Sequence, residues 1–379
     1  LEARSKRGFA SLDEERQWEN DSDLHTKAVE HFRECETDWQ VRAAHAPEKV
    51  NLFSFDDTGS LKLPHFSNRQ PKNLPSARLE LIPFLIEDHA RGKKTYIYST
   101  KGRYGKGANR ICGQLYAAIE ALKNDTSHVA HLARTLCLIC DNFSENKNNT
   151  LFAMCSDLIV NGWYDEVQLL YGPVGHTHSG IDQDHFVHNQ TCGKFVAGDL
   201  GHFGTHFEDA WVDPAYRPSV AVLECQYDFE AYYAPFVRSV SGFTKTAKDP
   251  LIVTAWRFKK GANGKVLTTW KLDQNDPDWR GADGGYGGIG FALLRTAPQG
   301  KPKEVRAKQD VMYAEAGARF AGGPMSQALK GEGLTECRVW LLTAISTGKL
   351  PRNKKMEATI PMGQFGSLYS VGALTKSNV

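Results

Sequence analysis

Thr135-Leu-Cys-Leu-Ile-Cys140 is an apolar run that leads directly into Asp141-Asn142 and then Asn146-Lys147-Asn148. A short run without polar interruption is how a strand covered on both faces reads. An acid at its exit stands where open α/β sheets present their chemistry, beyond the strand ends. A second run, Glu166-Val-Gln-Leu-Leu-Tyr171, is followed by Gly175-His176-Thr177-His178 and then Asp182. One carboxylate past each of two buried strands is the beginning of a carboxylate metal site.

Working outward, Val50-Asn-Leu-Phe-Ser-Phe55 is strand-like and ends at Asp56-Asp57. Asp57-Thr-Gly-Ser60 reads as a turn, and Leu61-Lys-Leu-Pro64 as a short returning strand. Residues 94–100 form a third strand. Ile111, Leu115, Ala118, Ile119 and Leu122 recur at helical spacing, as do Leu151, Met154, Cys155 and Leu158, the second helix ending at Asn161-Gly162. A last helix is expected to begin near Ser179. The order resembles the ribonuclease H-like fold: a mixed five-stranded α/β sheet with flanking helices, opened by three antiparallel strands and continued by parallel ones. Asp56, Asp141 and Asp182 fall where that fold carries its catalytic acids. Asp56 is favoured over Asp57 because it directly continues the Phe53/Phe55 run. Asp141 competes with a helix-capping role that Asn142 or Ser144 could fill, and Asp182 with a capping box opened by Ser179.

Three regions are expected. Residues 1–46 are a helical lead: Ser11-Leu-Asp-Glu14 is a capping box, and Leu24, Ala28, Phe32 and Cys35 share a face. Residues 47–215 are the core. Residues 216–379 are a β-rich accessory region, in which segments 250–258 and 265–272 flank a hairpin turn. Basic clusters (Lys301, Lys303, Arg306, Lys308; Arg352, Lys354, Lys355) and a glycine-rich stretch at 283–290 read as loops.

The net charge of +2 gives no overall polyanion signature, so a nucleic-acid partner must be met by a local patch. The eight cysteines form no disulfide framework, which fits reduced thiols and an intracellular location, nuclear or cytoplasmic. Cys137 and Cys140 read as buried thiols of a strand rather than half a zinc site. No apolar run is long enough to span a membrane. The chain opens on Leu rather than Met, and an upstream module is expected.

The motif Cys-Asp-Asn-x3-Asn-Lys-Asn at 140–148, together with Val-Gly-His-Thr-His-x3-Asp at 174–182, resembles a transposase-related domain of unknown function. That domain occurs in eukaryotic proteins derived from mobile elements. The likeness takes in Phe55-Asp56, Leu61–Pro64 and Lys106–Asn109, and covers residues 20–280, most strongly 50–190. It implies a ribonuclease H-like core with Asp56, Asp141 and Asp182 as metal-binding catalytic acids and His176, His178, Asn146 and Lys147 as motif residues beside them. Typical cut-and-paste transposases end their triad with Glu, where this chain has Asp182.

The expected activity is cleavage of DNA phosphodiester bonds, as a nuclease or transposase-like polynucleotidyl transferase, with two Mg²⁺ or Mn²⁺ ions on the carboxylates. His178 would act as base, and His176 would join the metal. Asn146, Lys147 and Asn148, at a helix start, would meet phosphate. RNA and a self-associated state are compatible with this reading. Two alternatives stand beside it. One is a catalytically silent, domesticated binding or assembly protein. The other is a zinc or iron hydrolase, suggested by His176, His178, His185, His188, His202 and His206.

Overall fold

The computed structural model of the chain describes residues within 11–306, apart from 64–78, 101–106, 126–131, 143–145, 174–179, 194–206, 208–210, 212–216, 223–224, 238–252, 262–263, 273, 275 and 282–291. Helix α1 (Leu12–His45) starts at Ser11, whose hydroxyl accepts the Glu14 N–H at 3.2 Å. Acids in its first turn and Arg42 and His45 in its last complement the helix dipole. Its buried face is Val29, Phe32, Trp39 and Ala43. Leu24, expected on that face, is 66% exposed, because the first half of the helix runs without a sheet to cover it.

The strands are β1 (Val50–Asp57), β2 (Leu61–Leu63), β3 (Leu79–Asp88), β4 (Lys93–Thr100), β5 (Thr135–Cys140), β6 (Glu166–Tyr171), β7 (Ser219–Val222), β8 (Cys225–Tyr227), β9 (Ala255–Lys260), β10 (Val266–Lys271) and β11 (Glu304–Arg306). Beyond α1, the helices are α2 (Ala108–Asn124), α3 (Asn149–Val160), α4 (Gly180–Cys192) and the short α5 (Phe229–Tyr233). Nine strands make one mixed sheet in the order β10-β9-β6-β5-β1-β3-β4-β7, with β2 paired to β3; β8 and β11 pair apart from it. At its centre β1 runs antiparallel to β3 and parallel to β5, which is parallel to β6.

Two expectations are corrected. The sheet has nine strands rather than five, because β7 joins the β4 edge and the β9–β10 hairpin joins β6. The second core strand is β3, not the Leu61 segment. Pro83 argues against a central strand, since it cannot donate to the ladder. Here β1 ends opposite Phe84 and β2 begins opposite Leu81. Pro83 therefore faces the gap between them, and its carbonyl accepts the Thr58 N–H at 3.2 Å.

Alternation along β1 sends Phe53 and Phe55 into the main core with α2, α3 and α5, and Leu52 to the opposite face under α1. A separate small core on that second face joins Leu85, Tyr96 and Tyr98 to Ile181 and Cys192 of α4. Among the described residues no helix is long and apolar enough to cross a membrane.

Candidate functional site

Because side chains alternate along a strand, Asp56 and Asp57 face opposite sides of the sheet. Asp57 shares the face of Phe53 and Phe55, where both its oxygens are bound by the fully buried guanidinium of Arg110 from α2. Asp56 points to the other face, into the seam between α1 and α4. Asp56 is therefore not the continuation of the Phe53/Phe55 row on which the sequence preference for it rests: period two assigns that continuation to Asp57.

The Asp56 carboxylate accepts the Asp57 N–H at 2.8 Å, and its side chain is 29% exposed. Burial pushes its pKa up to about 7, and the negative charges of Asp141, Asp57 and Asp182 push the same way. Ile139 of β5 pairs with Ser54 of β1, so Asp141, just past the end of β5, comes out beside Asp56. Asp182 occupies the first turn of α4. Asp56 is therefore close enough to both Asp141 and Asp182 to feel their charge.

Asn146, expected to meet phosphate, instead donates its amide to the Asp141 carboxylate, while its own carbonyl accepts the Tyr171 hydroxyl at 2.8 Å. It orients the acid. The ammonium of Lys147 donates to the Val253 carbonyl at 3.0 Å and lies 4.6 Å over the Tyr171 ring. Burial lowers its pKa to about 8. That placement anchors the segment before β9 and leaves the amine poorly disposed toward phosphate. Asn148 is the N-cap of α3, its side chain accepting the Leu151 N–H at 2.8 Å. The cap of α3 is thus neither Asp141 nor the Asn142 and Ser144 considered for it, and Asp141 is left to the site. His176 and His178 lie outside the described residues.

Of two further residues at the site, Glu36 is not singled out by sequence, and His185 enters there only as one of the six histidines of the zinc or iron alternative. Glu36 of α1 lines a small pocket together with Phe32, Ser54, Asp56, Cys140, Asp141, Gly172 and Ile181. Burial raises its pKa, and the Glu87 carboxylate adds to that. No local signal marks it, because it reaches the site from a helix more than a dozen residues upstream of β1. His185 stands with its Nε2 3.9 Å from Asp56 Oδ2. Its signal was available: it follows Asp182 by three positions, which puts both on one side of α4. His188 belongs to the core, where it shares a 2.9 Å hydrogen bond with the Tyr98 hydroxyl and stacks on Tyr96.

Behind the acids a polar row crosses three strands, since Ser54 pairs with Glu87 and Glu87 with Lys94. Lys94 donates to both oxygens of Asp184 at 2.8 and 2.7 Å, and Tyr96 donates to the Asp184 carbonyl at 3.1 Å. These bonds fix α4, and with it Asp182, against the sheet.

Hard oxygen donors gathered on a strand, a strand exit and a helix start suit Mg²⁺ or Mn²⁺. Asp56, Asp141 and Asp182 are the residues that could hold such ions. Among the described residues no three His, Cys, Asp or Glu side chains form a ready-made metal cage. Burial first, and after it the neighbouring carboxylate charges, hold the Asp56 pKa up, and a cation placed among these acids would relieve both.

No curated protein matches the chain. A solved structure titled as the MID-PIWI domains of the N. crassa QDE-2 AGO protein is similar at 14% identity with a TM-score of 0.22, over 33% of this chain and 35% of that one. A likeness so slight carries no argument. Residues 85–276, just over half of the 379, match the family described as a domain of unknown function, DUF7869, and the protein belongs to that family.

Proposed function

We propose that this protein is a divalent-metal-dependent enzyme cleaving nucleic-acid phosphodiester bonds, a nuclease or transposase-like polynucleotidyl transferase on a ribonuclease H-like core. The observation that carries the reading is the parallel register of β1 and β5, which brings Asp141 out beside Asp56, with Asp182 in the first turn of α4 near enough to raise the Asp56 pKa. The central strand order β6-β5-β1-β3-β4 supports it, with two antiparallel pairings on one side of β1 and two parallel ones on the other.

Bound Mg²⁺ or Mn²⁺ would activate a water or a 3′-hydroxyl and stabilise the leaving oxygen of an in-line displacement. Asp56 offers a ligand fixed by the sheet, and Asp141 one whose orientation Asn146 sets. Asp182 rides on a helix held by Lys94 and Asp184. DNA is the proposed substrate, with RNA as the comparison.

The test is nicking of supercoiled plasmid by the purified chain in MnCl₂. Asp141→Asn is expected to reduce the rate by at least roughly a hundredfold, because it removes an ionic ligand, with an unchanged circular dichroism spectrum. Undiminished nicking by that variant would reject the proposal. A second reading, a catalytically silent binding or assembly protein, draws on the engagement of Lys147 with Val253 and of Asn148 as a helix cap. Retained DNA binding with no cleavage under any divalent ion would favour it.

A further inference from the structure

We infer that His185 and Asp56 hold one divalent cation between them, an imidazole–carboxylate pair that makes the site favour Mn²⁺ over Mg²⁺. The inference rests on the metal-dependent reading above and deepens it by naming a nitrogen ligand and the class of ion it selects.

His185 is 7% exposed, and among the described residues neither of its ring nitrogens has a hydrogen-bond partner. A buried polar ring left in that state costs free energy, and such a group calls for a partner that the protein itself does not supply. Its Nε2 lies 3.9 Å from Asp56 Oδ2, too far for a hydrogen bond. Two ligand atoms that each sit about 2.1 Å from a shared ion stand roughly 3.0–4.2 Å apart as the angle between them opens from a right angle to a straight line. The gap is the size of a shared cation.

The surroundings call for the same charge. The groups that act most strongly on Asp56 are carboxylates, those of Asp141, Asp57 and Asp182, and Asp57 is already neutralised by Arg110 on the far face. Asp182 lies one helical turn before His185, so a small closing movement would add it to the same ion. The neutral imidazole coordinates through the Nε2 lone pair and keeps its proton on Nδ1. An imidazole in the ligand set favours first-row transition ions over Mg²⁺, which keeps to hard oxygen donors, and among those ions Mn²⁺ is the one that also suits the carboxylates.

Pulsed EPR of MnCl₂ bound to the full chain tests this directly. Nitrogen modulation is expected on the wild-type Mn²⁺ signal. His185→Gln should abolish it and weaken Mn²⁺ binding by at least about tenfold, while His45→Gln, at the exposed end of α1, should leave it in place. Mn²⁺ bound without nitrogen modulation, or modulation that survives His185→Gln, overturns the inference and leaves the carboxylate site standing. No Mn²⁺ bound by the wild-type chain overturns both readings. Should His185→Gln not fold, NMR of the wild-type chain with CoCl₂ reads the same contact. Hyperfine-shifted imidazole protons are expected, assigned through the Tyr96 ring 6.1 Å away, and their absence counts against the inference.

Discussion

The two faces of the central sheet are built on different rules. On one, β1 contributes Phe53 and Phe55 to a continuous apolar core with α2, α3 and α5, and the charge of Asp57 is met by the buried guanidinium of Arg110. On the other, two smaller cores lie side by side, one under α1 and one under α4. Between them runs a polar seam of Ser54, Asp56, Glu87, Lys94, Asp184 and His185. A single core leaves nowhere for charge except in matched pairs. A split core leaves a strip where acids can be desolvated yet reachable, and this is where a titratable group can be tuned. Asp56 and Asp57, neighbours in sequence, measure the contrast.

The largest effect is expected where the closed face is opened. Asp57→Ala leaves the Arg110 guanidinium buried without its carboxylate, and should cost roughly 3–5 kcal/mol in urea unfolding. A loss under about 1 kcal/mol would show that solvent reaches Arg110 and that the two faces differ less than claimed. A smaller loss, roughly 2 kcal/mol, is expected for Lys94→Met, which removes charged hydrogen bonds to Asp184 from the seam. Because those bonds position Asp182, Mn²⁺ affinity should fall with stability. Unchanged affinity would separate the polar row from the acids.

Much of this contrast could be read in the sequence where a pattern is local. The run 135–140 was legible as a buried strand because nothing polar interrupts it, and α2 and α3 because their apolar residues recur at helical spacing. β3 was hidden by Pro83, whose tolerance depends on where two other strands stop. The acids were legible as positions on a topology, but their partners were not. That Arg110 claims Asp57, that Asn146 turns to Asp141 and that Lys147 turns to Val253 are tertiary facts with no periodic signature. Glu36 enters from a helix whose docking face begins only at Val29.

Charge at Asp56 itself should act in the opposite sense to that at Asp57. Its ordinary value of 3.8 is raised to about 7 in the folded chain, so the native state holds the proton more tightly than the unfolded one. The resulting stabilisation is full below about pH 4 and is lost as pH rises through about 7, after which the ionised group is a standing cost. Asp56→Asn should therefore stabilise the metal-free protein by about 2 kcal/mol at pH 8, a figure reduced for the partial exposure of the side chain. The gain should shrink toward zero near pH 4. A destabilised variant at pH 8 would mean that the seam already supplies Asp56 with a counter-charge.

The smallest effect separates a helix cap from a ligand within one motif. Asn148 accepts the Leu151 N–H and starts α3, so Asn148→Ala should cost about 1 kcal/mol and lower the melting temperature slightly. Its side chain has a structural duty independent of charge, and Mn²⁺ affinity should stay at the wild-type value. Asn146→Ala, two positions earlier, removes the amide that orients Asp141 and should weaken Mn²⁺ binding with a comparable change in stability. If both variants weakened the ion equally, the motif would act as one unit, and the start of α3 would belong to the seam rather than to the apolar core that α3 otherwise serves.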